Sequence, residues 1–148
     1  MNLLGPLGGL LYGAASAFVP VVNAEVYAVA SAGRSHVSSV VIIILALSVG
    51  QTCGKLIIFE AARRGSQRFS RKRPAPRWAA RIQSMLSRRR SAAPLVLASA
   101  LTGLPPLAAI SFAAGASGQR RRDFGIACLV GRTARFLLIA LPVAWTAL

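Results

Sequence analysis

Residues 88–122 read RRRSAAPLVLASALTGLPPLAAISFAAGASGQRRR, and the topology of the whole chain depends on this segment. The 29 residues between the two arginine triplets carry no charge. As one straight helix they would measure about 43 Å and place one triplet on each side of a membrane. Basic residues favour the cytoplasmic side, so that arrangement is disfavoured. Because the central Gly103-Leu104-Pro105-Pro106 also disrupts a helix, the stretch predicts a re-entrant hairpin, with a proline-kinked full span as the alternative.

The composition of the whole chain indicates a membrane protein. Among 148 residues, 18 are Lys or Arg, 3 are Asp or Glu, and 55% are apolar. Eleven of the basic residues fall within residues 63–90, between long windows that are almost free of charge. This pattern predicts apolar segments in a bilayer and a basic loop at the cytoplasmic face. It excludes a disordered chain, and two distant cysteines exclude a disulfide scaffold.

Three further apolar windows complete the predicted topology. Residues 36–60 and 124–148 are each long enough, at about 37 Å as helices, to cross a hydrocarbon core of about 30 Å. Residues 1–33 are interrupted by glycines and prolines, and we expect a second hairpin there, entering from the outer side with Pro20 near its bend. The fold class predicted is all-α integral membrane, with two re-entrant helical hairpins and two spanning helices. Non-helical backbone at membrane depth must be buried in protein or line a wet cavity, so the hairpin tips are candidate sites.

An internal repeat supports this layout. Residues 49–58 (VGQTCGKLII) align with residues 130–139 (VGRTARFLLI) at five of ten positions. The two halves have opposite orientations in the predicted topology, and inverted repeats with interrupted segments are typical of transporters. We therefore divide one membrane domain into repeat one (1–62), a basic cytoplasmic loop (63–90) and repeat two (91–148).

The residues at the breaks resemble the motifs of a known family. The matching positions are Phe18-Val19-Pro20, Glu25, Ala32-Gly33, Gly50, Gly54 and Gly65 in the first half, and Pro105-Pro106, Ala114-Gly115, Phe124 and Gly131 in the second. They resemble the DedA family of membrane proteins, which carry a VTT (SNARE-associated Golgi) domain. The resemblance implies two re-entrant hairpins and an activity that moves lipids or lipid phosphates, as a translocase or a scramblase. It also suggests coupling of transport to protonation of Glu25.

The chain departs from the family pattern at two places. Many members have a second proline just before the acidic residue of the first motif, near the position of Asn23 here. Many members also have arginines beside the proline of the second hairpin, whereas residues 100–109 contain none. The second departure weakens the case for polyprenyl phosphate as the substrate.

Three charged residues inside apolar windows are the strongest site candidates. Glu25 lies about 12 Å from Gly33 at the outer edge if the segment is helical. Arg132 and Arg135 share one helix face, and each central arginine costs about 2.5–3.5 kcal/mol to insert. Glu25 is the one acid at comparable depth, so we predict that it pairs with Arg135 or Arg132. The alternatives are a carboxylate at the outer interface and arginines that extend to the inner surface.

Further candidates lie at the breaks and in the basic loop. Small polar residues and prolines mark the breaks: Pro20, Asn23, Thr102, Pro105 and Pro106. In the loop, the apolar residues Trp78, Ile82, Met85 and Leu86 form one stripe of a short helix, with Arg77, Arg81 and Arg88 largely off that stripe. Such a helix is typical of contact with an anionic leaflet.

The leading functional hypothesis is a small lipid translocase or scramblase-like protein of the inner (plasma) membrane, crossing it more than once. The alternatives are a structural or assembly protein and a holin-like pore. The sequence contains no recognisable metal site, cofactor motif or catalytic constellation, so we expect no enzyme and no cofactor. Membrane lipids are the expected partners, and nucleic acid is not, because no groove-reading motif accompanies the charge. The small volume that 148 residues enclose is compatible with a homo-oligomer.

Overall fold

A computed structural model describes residues 4–18, 24–32, 37–69 and 77–146, and most of these residues are helical. The helices are α1 (Leu4–Phe18), α2 (Ala24–Ala32), α3 (Val37–Phe69), α4 (Arg77–Ser87), α5 (Arg89–Thr102), α6 (Leu107–Ala116) and α7 (Arg121–Thr146). This confirms the predicted all-α class.

Two of these helices are long and apolar enough to cross a membrane. The qualifying segments are Ser38–Gly65 of α3 and Arg121–Val143 of α7. They measure about 42 and 35 Å, against a hydrocarbon core of about 30 Å. Each segment contains most of one of the two apolar windows that were predicted to cross the membrane, residues 36–60 and 124–148. The helix α3 continues to Phe69, however, so the first basic residues of the predicted 63–90 loop, Arg63 and Arg64, are helical.

The chain forms two compact units. The first comprises Met1–Gly54 and Arg132–Leu148, and so contains α1, α2, the beginning of α3 and the end of α7. The second comprises Lys55–Gly131, and so contains the end of α3, the helices α4, α5 and α6, and the beginning of α7. Each unit therefore combines short helices, two in the first unit and three in the second, with parts of both long helices.

Small residues let α1 and α3 pack closely in the first unit. A Cβ atom on Gly13 would collide with the Leu47 carbonyl, and one on Gly50 would collide with the Leu10 carbonyl. Close backbone approach at glycine is a common way for helices to associate in a membrane, where lipid tails remove the usual hydrophobic drive. The buried core of this unit is rich in alanine and consists of Ala24, Ala28, Ala32, Val40, Ile44, Leu47, Phe136 and Ala140.

The second unit has a more aromatic core around α5 and α6. The rings of Phe59 and Phe124 stack with their centroids 4.8 Å apart. Gly115 lies against the backbone of Phe59, and Gly131 against Ala100, so close contacts at glycine recur here. The other fully or nearly buried members are Leu86, Ala92, Val96, Leu107, Ile110, Ala114, Ala127 and Cys128. Gly115, Phe124 and Gly131, which are among the residues that suggested a family resemblance, thus have a packing role in this unit.

The helix α4 forms in the basic segment, but its apolar stripe does not lie free for lipid. Leu86 is 2% exposed within the core of the second unit, and Ile82 packs against that core. Met85 remains exposed. The amphipathic pattern therefore largely reflects packing on the protein itself, because an apolar stripe suits a protein surface as well as a leaflet.

Large apolar side chains are exposed along both long helices. The exposed residues include Ile42, Leu45, Val49 and Ile57 on α3, and Ile126, Val130, Leu138 and Trp145 on α7. Water would disfavour so much apolar surface on a protein of this size, whereas lipid tails accept it.

Candidate functional site

Glu25 and Arg135 form an ion pair within the first unit. Glu25 occupies the first turn of α2, and Arg135 lies on the part of α7 that belongs to the same unit. The Nε and Nη2 atoms of Arg135 each lie 2.6 Å from Oε1 of Glu25. The pairing predicted from the scarcity of acids is therefore present, and Arg135 is the partner.

Both members of the pair are partly buried. The side chains are 22% exposed for Arg135 and 30% exposed for Glu25. The position of Glu25 at the N-terminal end of α2 also suits a carboxylate, because the helix dipole is positive there. Because an arginine in an apolar helix costs about 2.5–3.5 kcal/mol to insert on its own, a carboxylate partner explains how α7 can carry it.

The geometry of the pair has a chemical consequence. A guanidinium presents two parallel N–H groups along the Nε–Nη2 edge, and the geometry of this edge suits both carboxylates and phosphates. In the structure, that edge of Arg135 is turned to Glu25. The edge of Arg135 that can bind an anion thus contacts a carboxylate of the protein itself.

Arg132 lies one turn before Arg135 and is half-buried. Residues three apart on a helix share a face, so the two guanidinium groups belong to one side of α7. The sequence left open which arginine meets Glu25, and in the structure Arg135 makes such a contact.

A second polar contact in the first unit was missed by the sequence analysis. Gln51 of α3 is 5% exposed, and its Nε2 atom donates to the Ser16 hydroxyl of α1 at 2.9 Å. Ser16 in turn donates to the Gly13 carbonyl, next to the close crossing of the two helices. A lone amide between Gly50 and Gly54 in an apolar helix was the available signal, because such an amide needs a partner inside the bilayer.

The break between α5 and α6 is held by hydroxyl groups of the second unit. Gly103 ends α5 with φ 82°, a conformation that favours glycine, and its N–H donates to the Ser99 carbonyl. The buried Ser99 hydroxyl donates to the Pro105 carbonyl at 2.6 Å, across the cis Leu104–Pro105 peptide. Ser99 is a second residue that the sequence analysis missed.

The predicted site residues at this break have mainly structural contacts. The Thr102 hydroxyl donates to the Ala98 carbonyl at 2.7 Å and accepts from the Leu104 N–H at 3.2 Å. Pro106 precedes α6 as its N-cap, and Pro105 is half-buried. Thr102 therefore satisfies backbone groups freed by the break, as small polar residues at such breaks commonly do.

The remaining predicted residues divide into two groups. Pro20 and Asn23 lie outside the described residues, as does the side chain of Trp78. Arg77, Arg81 and Arg88 are exposed at α4 and just after it. These three arginines do not take part in the Glu25–Arg135 pair.

One comparison with known proteins gives a match. The model of the VTT domain matches residues 5–144, which is nearly the whole chain and includes both Glu25 and Arg135. No curated protein and no solved structure matches.

Proposed function

Because the chain belongs to the VTT-domain family (DedA/SNARE-associated Golgi proteins), a family of membrane proteins, we propose that it moves lipid or lipid-phosphate headgroups across the bilayer. The activity proposed is that of a translocase or a scramblase-like protein, without covalent chemistry and without a cofactor. The observation that carries the proposal is the partly buried Glu25–Arg135 pair on two apolar helices.

The mechanism proposed is an exchange of anions on Arg135. A headgroup phosphate replaces the Glu25 carboxylate on the Nε–Nη2 edge, and Glu25 takes the place again when the headgroup leaves. Since one anion substitutes for another on the same guanidinium, neither state leaves the arginine unpaired in an apolar environment. A small energy difference between the two states allows the headgroup to leave as readily as it enters.

The proposed topology retains the two hairpins as re-entrant. The helices α5 and α6 contain 14 and 10 residues and measure about 21 and 15 Å, less than a core of about 30 Å. The helices α1 and α2, with 15 and 9 residues, are equally short for a span. We place the protein in the inner (plasma) membrane with the basic segment after α3 on the cytoplasmic side.

Cysteine accessibility tests this topology. The native Cys53 and Cys128 are first replaced by serine and alanine, and single cysteines are then introduced as Ser91→Cys and Gly118→Cys. In a re-entrant hairpin, a membrane-impermeant maleimide labels both positions from the same side of oriented vesicles. Labelling from opposite sides would show that residues 91–119 cross the membrane.

Transport is tested with the full chain in reconstituted vesicles. Fluorescent phospholipids in the inner leaflet become accessible to external dithionite only if a protein moves them outward. We expect Glu25→Gln and Arg135→Gln each to slow this phase at least tenfold. The matched control is Arg64→Gln, which removes an ion pair of the same type with Glu60 at a position that is 80% exposed.

The outcome separates transport from a purely structural role. If Glu25→Gln and Arg135→Gln leave the rate equal to that of Arg64→Gln, the proposed function is wrong. If vesicles leak small dyes as fast as they move lipid, the protein is a pore of the holin type instead.

Two partner proposals accompany the function. Exposed Arg77, Arg81 and Arg88 are proposed to contact anionic headgroups, because each basic residue near such a surface contributes about 1 kcal/mol. A homo-oligomer is also proposed, and mass photometry in nanodiscs would show a single-chain mass if that proposal is wrong.

A further inference from the structure

The junction between α6 and α7, residues 115–123, lines two adjoining cavities of the second unit. The larger cavity is about 660 Å³ and the smaller about 150 Å³. Both are lined by Gly118, Gln119, Arg120 and Asp123. A volume of this size is typical of sites for small molecules.

Positive charge dominates the larger cavity. Four arginines line it, namely Arg63, Arg120, Arg121 and Arg122, against one carboxylate, that of Asp123. The three consecutive arginines are exposed, so their guanidinium groups are accessible to a ligand in solution or at a membrane surface. Arginine forms bidentate hydrogen bonds with phosphate more readily than lysine does.

The backbone at this junction adds further donors. The first hydrogen bond of α7 runs from the Phe124 N–H to the Arg120 carbonyl at 3.1 Å. The N–H groups of Arg121, Arg122 and Asp123 precede it and have no acceptor within the helix. The positive end of a 26-residue helix therefore lies at the cavity wall, an arrangement that favours an anion.

The side chain of Gln119 also indicates a ligand, independently of the arginines and the helix end. It is only 9% exposed, and neither its Nε2 nor its Oε1 atom has a hydrogen-bond partner within the described part of the chain. Buried amide groups in proteins are normally satisfied, so an amide that lines two cavities without a partner points to a group that enters them. An acceptor suits Nε2, and a donor suits Oε1.

We propose that residues 115–123 form a binding site for a phosphate monoester. A monoester offers acceptor oxygens to the arginines and to Gln119 Nε2. Its protonated oxygen, present in part near neutral pH, donates to Gln119 Oε1. Both a lipid headgroup of the phosphatidate type and a soluble phosphate have this chemistry. The site lies wholly in the second unit and does not depend on the transport proposal.

Binding is measured on the purified full chain in detergent with named probes. Inorganic phosphate and glycerol 3-phosphate are titrated by calorimetry, and dioctanoyl phosphatidic acid is counted by native mass spectrometry. Dioctanoyl phosphatidylcholine, a diester, is the control lipid. Binding of the soluble probes identifies a free phosphate as sufficient, and binding of phosphatidic acid alone identifies a lipid headgroup.

Three variants connect the binding to these residues. Gln119→Leu and Arg121→Gln are each expected to weaken binding at least tenfold, and Asp123→Asn is expected to strengthen it by removing the one carboxylate at the cavity. The matched control is Arg64→Gln, an exposed arginine of α3 that lines neither cavity and is expected to change binding less than twofold. Arg121→Gln alters an exposed side chain, so it remains informative if Gln119→Leu does not fold.

The results that would overturn the proposal are equally definite. Absence of binding by every monoester probe overturns it. So does equal binding of phosphatidylcholine, or an affinity in both Gln119→Leu and Arg121→Gln that matches that of Arg64→Gln.

Discussion

Both the Nε and Nη2 atoms of Arg135 lie 2.6 Å from one carboxylate oxygen of Glu25, although 110 residues separate the two in sequence. The contact connects α2 to α7. It was predicted from the sequence, and the proposed transport mechanism depends on it. Because it joins two partly buried charges, it affects stability as well as function.

The first prediction concerns the energetic coupling of this pair. Glu25→Gln and Arg135→Gln should each lower the free energy of unfolding by about 1–3 kcal/mol, since each leaves a partly buried charge without its partner. The double variant should lose less free energy of unfolding than the sum of the losses in the two single variants. Unfolding by SDS titration in mixed micelles measures all three, and additive losses would show that the two side chains do not interact.

The second prediction concerns the crossing of α1 and α3. Gly50→Ala should destabilise the protein by about 1–3 kcal/mol, because the added Cβ meets backbone atoms of Leu10 and Ala14, which cannot rotate away. Gly65→Ala is the matched control on the same helix. Nothing lies within 4 Å of its added Cβ, so it should stabilise the helix by about 0.5–1 kcal/mol. Equal effects of the two changes on unfolding would contradict the close crossing.

The third prediction concerns the break between α5 and α6. Ser99→Ala removes a buried donor to the Pro105 carbonyl and should cost about 1–3 kcal/mol of stability. Ser84→Ala on α4 also removes a hydroxyl hydrogen bond to a carbonyl, but at an exposed position. It should change the free energy of unfolding by no more than about 0.5 kcal/mol. Thermal unfolding in detergent compares the two, and a loss for Ser84→Ala as large as that for Ser99→Ala would argue against a special role for the break.

The fourth prediction concerns the arginines of the α4 region. Replacing Arg77, Arg81 and Arg88 together by glutamine should reduce the selectivity of the protein for phosphatidylglycerol over phosphatidylcholine. Arginines near an anionic surface attract anionic headgroups, so the triple change should lower the selectivity severalfold. Spin-labelled lipids in mixed bilayers report this ratio by electron paramagnetic resonance. Unchanged selectivity would show that these residues do not meet the leaflet.

The sequence was sufficient for the features that depend on long apolar runs and on scarce charges. The apolar runs at residues 36–60 and 124–148 predicted long helices. In the structure, α3 and α7 cover most of these two runs. The ion pair was predictable because only three acids are present and two of them, Glu60 and Asp123, lie at the edges of the apolar windows. Elimination succeeds when a side chain that needs a partner has few choices.

The sequence was not sufficient where the same pattern suits two environments. The apolar stripe of α4 fits a leaflet and a protein core equally well, and only tertiary packing reveals that Leu86 is buried. Gln119 follows Ser117-Gly118 and precedes three arginines, a context typical of an exposed turn, so its burial was not predictable. Ser99 was missed because a serine within an apolar helix commonly bonds its own preceding turn.

The break between α5 and α6 carries its own hydrogen-bond partners, because Ser99 and Thr102 supply the hydroxyls for the Pro105 carbonyl and the Leu104 N–H. These backbone groups therefore have no need of water to remain satisfied. Because both partners lie in the last turn of α5, placing this break in an apolar environment leaves two fewer backbone groups unsatisfied.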